Sequence, residues 1–493
     1  MLVFRLFCCI FSNTWFVPDE YFQSVEVSYH IVYGKGHLSW EWLTKWSLRS
    51  PLHPLLYAIP FWILKSFSLD FGFIIKWIPN IIQALLFAVA DICYINWAKK
   101  LVGSQQVLFL LLFLYFTNWF IIYCSTRTLS NTLECCLTLI ALNFYIKKEE
   151  INLKKKNDDF KEKKVLKTFI FKFFSNYSFC LMFIFLTTII RPTTCLLWLL
   201  LFICHFLDYY NENKIYFGKN FLYETGNYFL SGNALFGSHP WHWYITQGLP
   251  SIFGFVLIPL IIFLFKLIWN SSTEGIKLPK RYAFASFLYI FCLSLIAHKE
   301  HRFVLPIIPL LLPYIAVELN YYKFKYFFKY FKNLIIISNL LAIIYFGLIH
   351  QRGPYVASNQ ISQSVNDQLK LNKNNETIYV LQLMPCFSMP MYASMHPNAQ
   401  NVVIKMLDCG INDKIDESDQ FHSSPEFWLN KYWFTKKLYL TNIIVCYQNI
   451  FVQIEPFLMQ KGFERYSQIF HTIFTSSSRQ NQKIILMTRK KIN

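Results

Sequence analysis

The chain has 493 residues, 55% of them hydrophobic and only 15% charged, with 51 Phe, 30 Tyr and a mean hydropathy of +0.32. A soluble chain of this length would divide into several cores beneath a far more charged surface, so the composition excludes an ordinary soluble protein and indicates a polytopic membrane protein. The formal charge of +19 implies no nucleic-acid partner, because Lys and Arg gather in loops between apolar runs, the pattern that sets membrane orientation.

Apolar runs near the ~20 residues that cross a bilayer predict spans over 1–17, 73–98, 107–123, 129–146, 173–190, 194–207, 251–269, 282–297, 304–320 and 334–350. The first runs into Trp15-Phe16-Val17-Pro18 rather than a small-residue cleavage site, so it reads as a retained span. The run 52–69 is apolar as well, but Pro51, Pro54 and Pro60 suit an interfacial or re-entrant segment better. From 351 onward hydropathy falls, and short runs at 377–383 and 442–447 predict strands. The fold class expected is thus an all-α polytopic membrane protein of about 10 transmembrane segments with an α+β C-terminal domain. Its domains are 1–350, including a first loop at 18–72, and 351–493.

Charge supplies the sidedness. The basic loops 147–172, 277–281 and 323–332 are expected in the cytosol. Counting spans outward places 18–72, 124–128, 298–302 and everything after 351 on the opposite face, provided 52–69 does not cross. One place fails the count: two apparent spans lie between the 147–172 loop and 232–248, where an odd number is needed. Either 173–207 crosses once as a kinked unit, or the chain lacks a span there.

Four polar stretches carry chemical potential. Residues 14–42 read TWFVPDEYFQSVEVSYHIVYGKGHLSWEW, with Asp19 and Glu20 adjacent after Pro18 and with Gln23, Glu26 and His30 at helical spacing. This suits a capped interfacial helix or a catalytic carboxylate at the membrane surface. The second stretch is His298-Lys299-Glu300-His301-Arg302-Phe303, wedged between apolar runs, whose cations suit a phosphate. The third is 237–244, GSHPWHWY, with His239, Trp241 and His242; its aromatics suit a membrane-interface belt. Pro240 and the lack of nearby Cys or acidic ligands argue against a metal at its His-x-x-His spacing. Arg127 and Arg191, at span ends, form the fourth. A carboxylate, cations and aromatic platforms on one face suit transfer from a lipid-phosphate donor, the carboxylate removing the proton of an accepting hydroxyl. A transporter with ionisable residues along its path is the rival class, but no pair of matching halves is evident.

Taken together, Pro18-Asp19-Glu20 with Gln23 and Glu26, the LSWEW and Arg49-Ser50 that follow, and HKEHRF at 298–303 resemble glycosyltransferase family 22. GSHPWHWY with QGLP at 247–250, and LMPCFSMPMY at 383–392, are similar to the branch of that family acting on glycosylphosphatidylinositol (GPI) precursors. The resemblance implies a GT-C fold, residence in the endoplasmic-reticulum membrane and an active site facing the lumen. It further implies α-1,2 transfer of a third mannose from dolichyl-phosphate mannose to a mannosylated GPI lipid, with inversion and without metal or other cofactor. Sister enzymes acting on lipid-linked N-glycan precursor, or adding a fourth GPI mannose, are the alternative. Asp19 is then the catalytic base with Glu20 beside it. Gln23, Glu26, Arg49, Arg127, Arg191, His239, Trp241, His242, His298, Lys299, Glu300 and Arg302 are candidate substrate-binding residues. Relatives carry a further apolar span where this chain has 208–214, the place where the span count fails. In an oxidising lumen a Cys386–Cys409 disulfide is expected, with Cys446 a buried thiol, and Asn375 is the sequon expected to be glycosylated rather than Asn176 or Asn270.

Overall fold

The computed structural model describes residues 1–43, 48–146, 177–212, 239–269, 278–321, 325–371, 377–396, 398–408, 416–475 and 477–490. The stretch at 208–238 where the span count fails lies largely outside these residues, as do Cys409, Asn176, Asn270 and Asn375.

By packing, the chain forms two compact units. One comprises Met1–Arg5, Ala84–Ser125 and Ser130–Ala342; the other comprises Leu6–Gln83, Thr126–Leu129 and Ile343–Asn493.

The first unit is helical. Among the described residues of the chain, four helices are long and apolar enough to cross a membrane: Gly72–Val102, Tyr244–Leu267, His301–Tyr321 and Tyr330–Lys370. Shorter apolar helices run over Leu2–Ser12, Gln105–Thr117, Ser178–Ile190, Thr193–Leu207 and Arg281–Leu295. Within the unit, His301–Tyr321 is mostly buried, and its Ile308–Tyr321 portion packs against Gln105–Thr117, Leu257–Ile268 and Arg281–Leu295. The run expected as one span over 107–123 breaks at Asn118, whose side-chain oxygen accepts the Ile121 N–H at 3.0 Å and caps a new helix, Trp119–Cys124. A lone arginine and a lone aspartate in apolar helices find each other: Arg5 and Asp91 pair at 2.8 Å, both fully buried, and the Tyr115 hydroxyl donates to the same carboxylate. Charges buried at membrane depth persist only when partnered in this way.

The second unit joins the first loop to the C-terminal region. Its sheet has five strands in the order β2-β1-β3-β5-β4: β1 Ile378–Leu383, β2 Val402–Met406, β3 Ile443–Tyr447, β4 Phe463–Phe470 and β5 Lys483–Arg489. β1 runs parallel to both β2 and β3, while β5 is antiparallel to β3 and β4. Alternate residues serve two cores. Ile444 and Cys446 face one with Trp428, Leu429, Phe451 and Leu458; Ile443, Val445 and Tyr447 face the other with Ala357, Ile361 and Val365. A strand buried on both faces reads as a continuous apolar run, as IIVCY does. β1 and β3 match the strands expected at 377–383 and 442–447.

The segment 52–69 is a continuous helix over Leu52–Ser66. Pro51 is its N-cap and Pro54 sits in its first turn, where no intrahelical N–H is required, and only Pro60 interrupts the ladder.

Candidate active site

The first loop builds a helix from Asp19 to Tyr33 whose middle, Tyr21–Val25, is a wide π-turn. The backbone N–H of Glu26 reaches back to Tyr21 O, and such single wide turns frequently mark functional sites. Gly34 closes the helix in the left-handed conformation, φ +72°. Gly36 is the tighter constraint, since a Cβ there would sit 2.7 Å from the Glu26 carbonyl oxygen.

The extra residue in the turn spoils the simple helical face, and the polar residues go to different partners. Asp19, in the first turn, is half-buried. Glu20 is 1% exposed and takes Arg127 Nη1 at 2.8 Å. Arg127, itself fully buried, also donates to Thr14 O and Thr14 Oγ1 at 2.7 and 2.8 Å. Thr128 Oγ1 donates to the Glu20 carbonyl at 2.7 Å. Burial pushes the Glu20 carboxyl above the ordinary glutamate value, and the Arg127 guanidinium opposes that push. Gln23 donates to Glu41 Oε2 at 3.1 Å, and Arg49 donates to the other oxygen at 2.8 Å. Glu26, fully buried, accepts the backbone N–H groups of Met391 and Ala393 at 3.0 and 3.2 Å. Its burial raises the carboxyl to about 7, against those hydrogen bonds.

The other unit holds the cation-rich motifs. HKEHRF and HPWHWY, about 60 residues apart in sequence, pack together: Lys299 Nζ donates to His239 O at 3.0 Å, and His239 N donates to Ala297 O at 2.9 Å. The Trp243 ring meets His301 at 4.8 Å and His239 at 5.1 Å, while the Tyr244 hydroxyl approaches Glu300 O at 3.4 Å. Glu300 pairs with Arg302 and with His298 Nε2, the latter at 3.1 Å. Burial alone would raise the Glu300 carboxyl; Arg302 and His298 reverse that and hold it well below the usual carboxylate range. Lys299 and Arg302 are buried, whereas His239, Trp241 and His242 are exposed, Trp241 at 66%. Arg191 is engaged with Glu134 at 2.8 Å, with Ser130 and Asn131 at 3.2 and 3.1 Å, and Thr194 donates to Glu134 at 2.6 Å.

Sequence reasoning missed four partners. Glu134 is a lone acid in an apolar run, which is itself a signal. Glu41 lies inside the LSWEW stretch, and Trp243 and Tyr244 inside HPWHWY. Cys386 is disulfide-bonded, and its expected partner Cys409 lies outside the described residues. Cys446 is a buried free thiol that burial pushes up to about 12.

Residues 1–226 and 217–396 match the profile of the Alg9-like mannosyltransferase family. The chain belongs to that family. It is a glycosyltransferase on a multi-pass membrane scaffold. The family match divides at 217–226, close to where the span count fails. The chain is 32% identical to the GPI alpha-1,2-mannosyltransferase 3 of Bos taurus, over 99% of this chain and 88% of that protein. Identity to the Homo sapiens protein of the same name is 31%, over 96% and 83%. The GPI mannosyltransferase 3 of Candida albicans is 28% identical over 99% and 97%. The Bos taurus alignment extends over 527 positions, more than the 493 of this chain, so the relative carries segments this chain lacks. Among solved structures, ArnT from Cupriavidus metallidurans, bound to undecaprenyl phosphate, matches with a TM-score of 0.53 at 9% identity, over 98% of this chain and 96% of that one. This likeness shows the fold, which is of GT-C type.

Proposed function

We propose that this protein is the α-1,2-mannosyltransferase that adds the third mannose to the GPI precursor, drawing it from dolichyl-phosphate mannose at the lumenal face of the endoplasmic-reticulum membrane. The observation that carries the reading is the near-full-length similarity to proteins of that name in animals and a fungus. About ten spans, with the C-terminal region in the lumen, follow the charge pattern of the loops.

In the proposed reaction the acceptor hydroxyl oxygen attacks the anomeric carbon as the bond from that carbon to the phosphate oxygen breaks. The sugar inverts and dolichyl phosphate leaves with the bonding pair. Asp19 takes the hydroxyl proton. It lies half-buried in the first turn of the helix, whereas Glu20 is fully buried against Arg127. Glu20 and Arg127 are therefore positioning residues that hold the first turn and Asp19 with it. Gln23, Glu41 and Arg49 form a polar edge suited to acceptor hydroxyls. The His298–Arg302 cluster and the exposed His239, Trp241 and His242 are proposed donor-side residues, their cations suited to the departing phosphate. Arg191 supports that cluster through its place over the Phe303 ring, 5.5 Å away.

The reading is tested in cells lacking GPI third-mannose transfer. Expression of this chain is expected to convert the accumulated dimannosyl lipid to a trimannosyl lipid whose outer mannose is released by an α-1,2-mannosidase. A product on N-glycan precursor instead would transfer the assignment to the sister enzymes.

A further inference from the structure

The second unit contains a cavity of about 600 Å³, within the roughly 300–1,000 Å³ of small-molecule sites. It is lined by Leu381 of β1, by Ile404, Lys405 and Met406 of β2, and by Phe387, Leu407 and Asp408 in the segments that follow those strands. The first loop contributes the remaining wall through residues 37–43, including Trp40.

Its lining is chemically mixed. Trp40, Phe387 and Trp428 supply aromatic surface, and Lys405, Lys436, Asp408 and Glu417 supply charges of both signs. The two cations and two acids balance in number: Lys436 pairs with Glu417, whose Oε2 accepts the Asp408 backbone N–H at 2.7 Å, and Lys405 Nζ donates to the Lys436 carbonyl at 3.3 Å. A site for an isolated phosphate would present unopposed cations, and a lipid tail would have no use for four ionised groups. Aromatic faces beside donors and acceptors of balanced charge match a sugar ring, which has an apolar C–H face and a rim of hydroxyls. The indole Nε1 of Trp428, in a residue 4% exposed, has no hydrogen-bond acceptor among the described residues. The cavity also adjoins the catalytic helix: Phe387 meets Phe22 at 4.8 Å, and Phe22 follows Asp19 by three residues.

We infer that this cavity is a saccharide-binding subsite through which the C-terminal α/β region holds the glycan of the acceptor. The inference rests on the mannosyl-transfer reading above, and it gives the region beyond 377 a role in substrate choice rather than in chemistry. Because its wall is shared with the first loop, glycan held there would steady the loop that carries Asp19, Gln23 and Glu41.

The test uses the full-length protein in detergent, with α-linked mannobiose as the soluble probe. Ligand-observed NMR is expected to detect binding that Trp40→Ala and Asp408→Asn each weaken by about tenfold, the loss of one stacking face or one charged hydrogen bond. Asp408 is exposed, so its variant should fold as wild type does. In the transfer assay both variants are expected to raise the KM for the lipid acceptor while the donor KM is unchanged, a split that a general loosening of the fold would not give. Asp19→Asn is expected to bind mannobiose as wild type does. Wild-type protein that transfers mannose with an acceptor KM indifferent to both substitutions would overturn the subsite and leave the transfer reading standing. Mannobiose binding weakened by both variants, in a protein without transferase activity, would keep the subsite and overturn the reaction. Displacement of mannobiose by inorganic phosphate at equal concentration would identify an anion site and refute the inference.

Discussion

Removing one member of the Glu20–Arg127 pair strands the other charge in a site with almost no solvent. Arg127→Met is expected to destabilise the protein by about 3–5 kcal/mol, and the double variant with Glu20→Gln should recover much of that loss. Thermal unfolding of both in detergent checks the coupling; additive losses would dissolve the pair as a unit. Glu26 is a buried carboxylate without a cation beside it among its named partners. Its folded carboxyl is raised to about 7 from the model-peptide region near 4.5, so between those values the folded state binds more protons than the unfolded one. Stability is fully present at the acid end and falls as pH rises toward neutrality. Glu26→Gln, still able to accept from Met391 and Ala393, should flatten that slope in melts between pH 5 and 7. An unchanged slope would assign it to other groups. The adjacent acids and the basic motifs were legible in the sequence because each is local. The partner of Glu20 was not, lying 107 positions away, and no local pattern encodes that pairing.

Helices were legible wherever apolar runs were long, yet two devices escaped. The π-turn at Tyr21–Val25 leaves no mark in composition, so Gln23 and Glu26 were expected on one face and instead serve Glu41 and the 391–393 backbone. Asn118 splits a run that hydropathy alone joins. β2 went unread because its VVIKM is short, and β4 because only two of its eight residues are buried. At this scale HPWHWY divides into packing and contact halves. Trp243, 5% exposed between His239 and His301, should cost about 3–5 kcal/mol as Trp243→Ala. Trp241→Ala should leave unfolding unchanged, so that any fall in transfer rate it causes reports contact with substrate. The opposite stability order would invert the assignment.

For the whole molecule, the membrane class followed from hydropathy, because a bilayer imposes its length on every span, while the GT-C fold followed only from the resemblance to glycosyltransferase family 22. Two inner strands of the sheet, β1 and β3, were expected from the sequence, but that the sheet shares a compact unit with the first loop was not, since that pairing joins segments more than 300 residues apart. A Cys386–Cys409 link would close a loop of about two dozen residues and contribute roughly 3 kcal/mol. Non-reducing peptide mapping is expected to recover those two cysteines in one cross-linked species, with Cys446 alkylated only after unfolding; Cys386 alkylated without reduction would refute it. Transfer by this mechanism depends most on the base. The decisive measurement is the single-turnover rate of mannose transfer from dolichyl-phosphate mannose to dimannosyl GPI lipid, by wild type and Asp19→Asn at matched amounts of folded protein. Loss of the base predicts a fall of about 10²–10⁴-fold with acceptor binding retained. A variant rate within about twofold of wild type would contradict it, since a general base contributes far more than that.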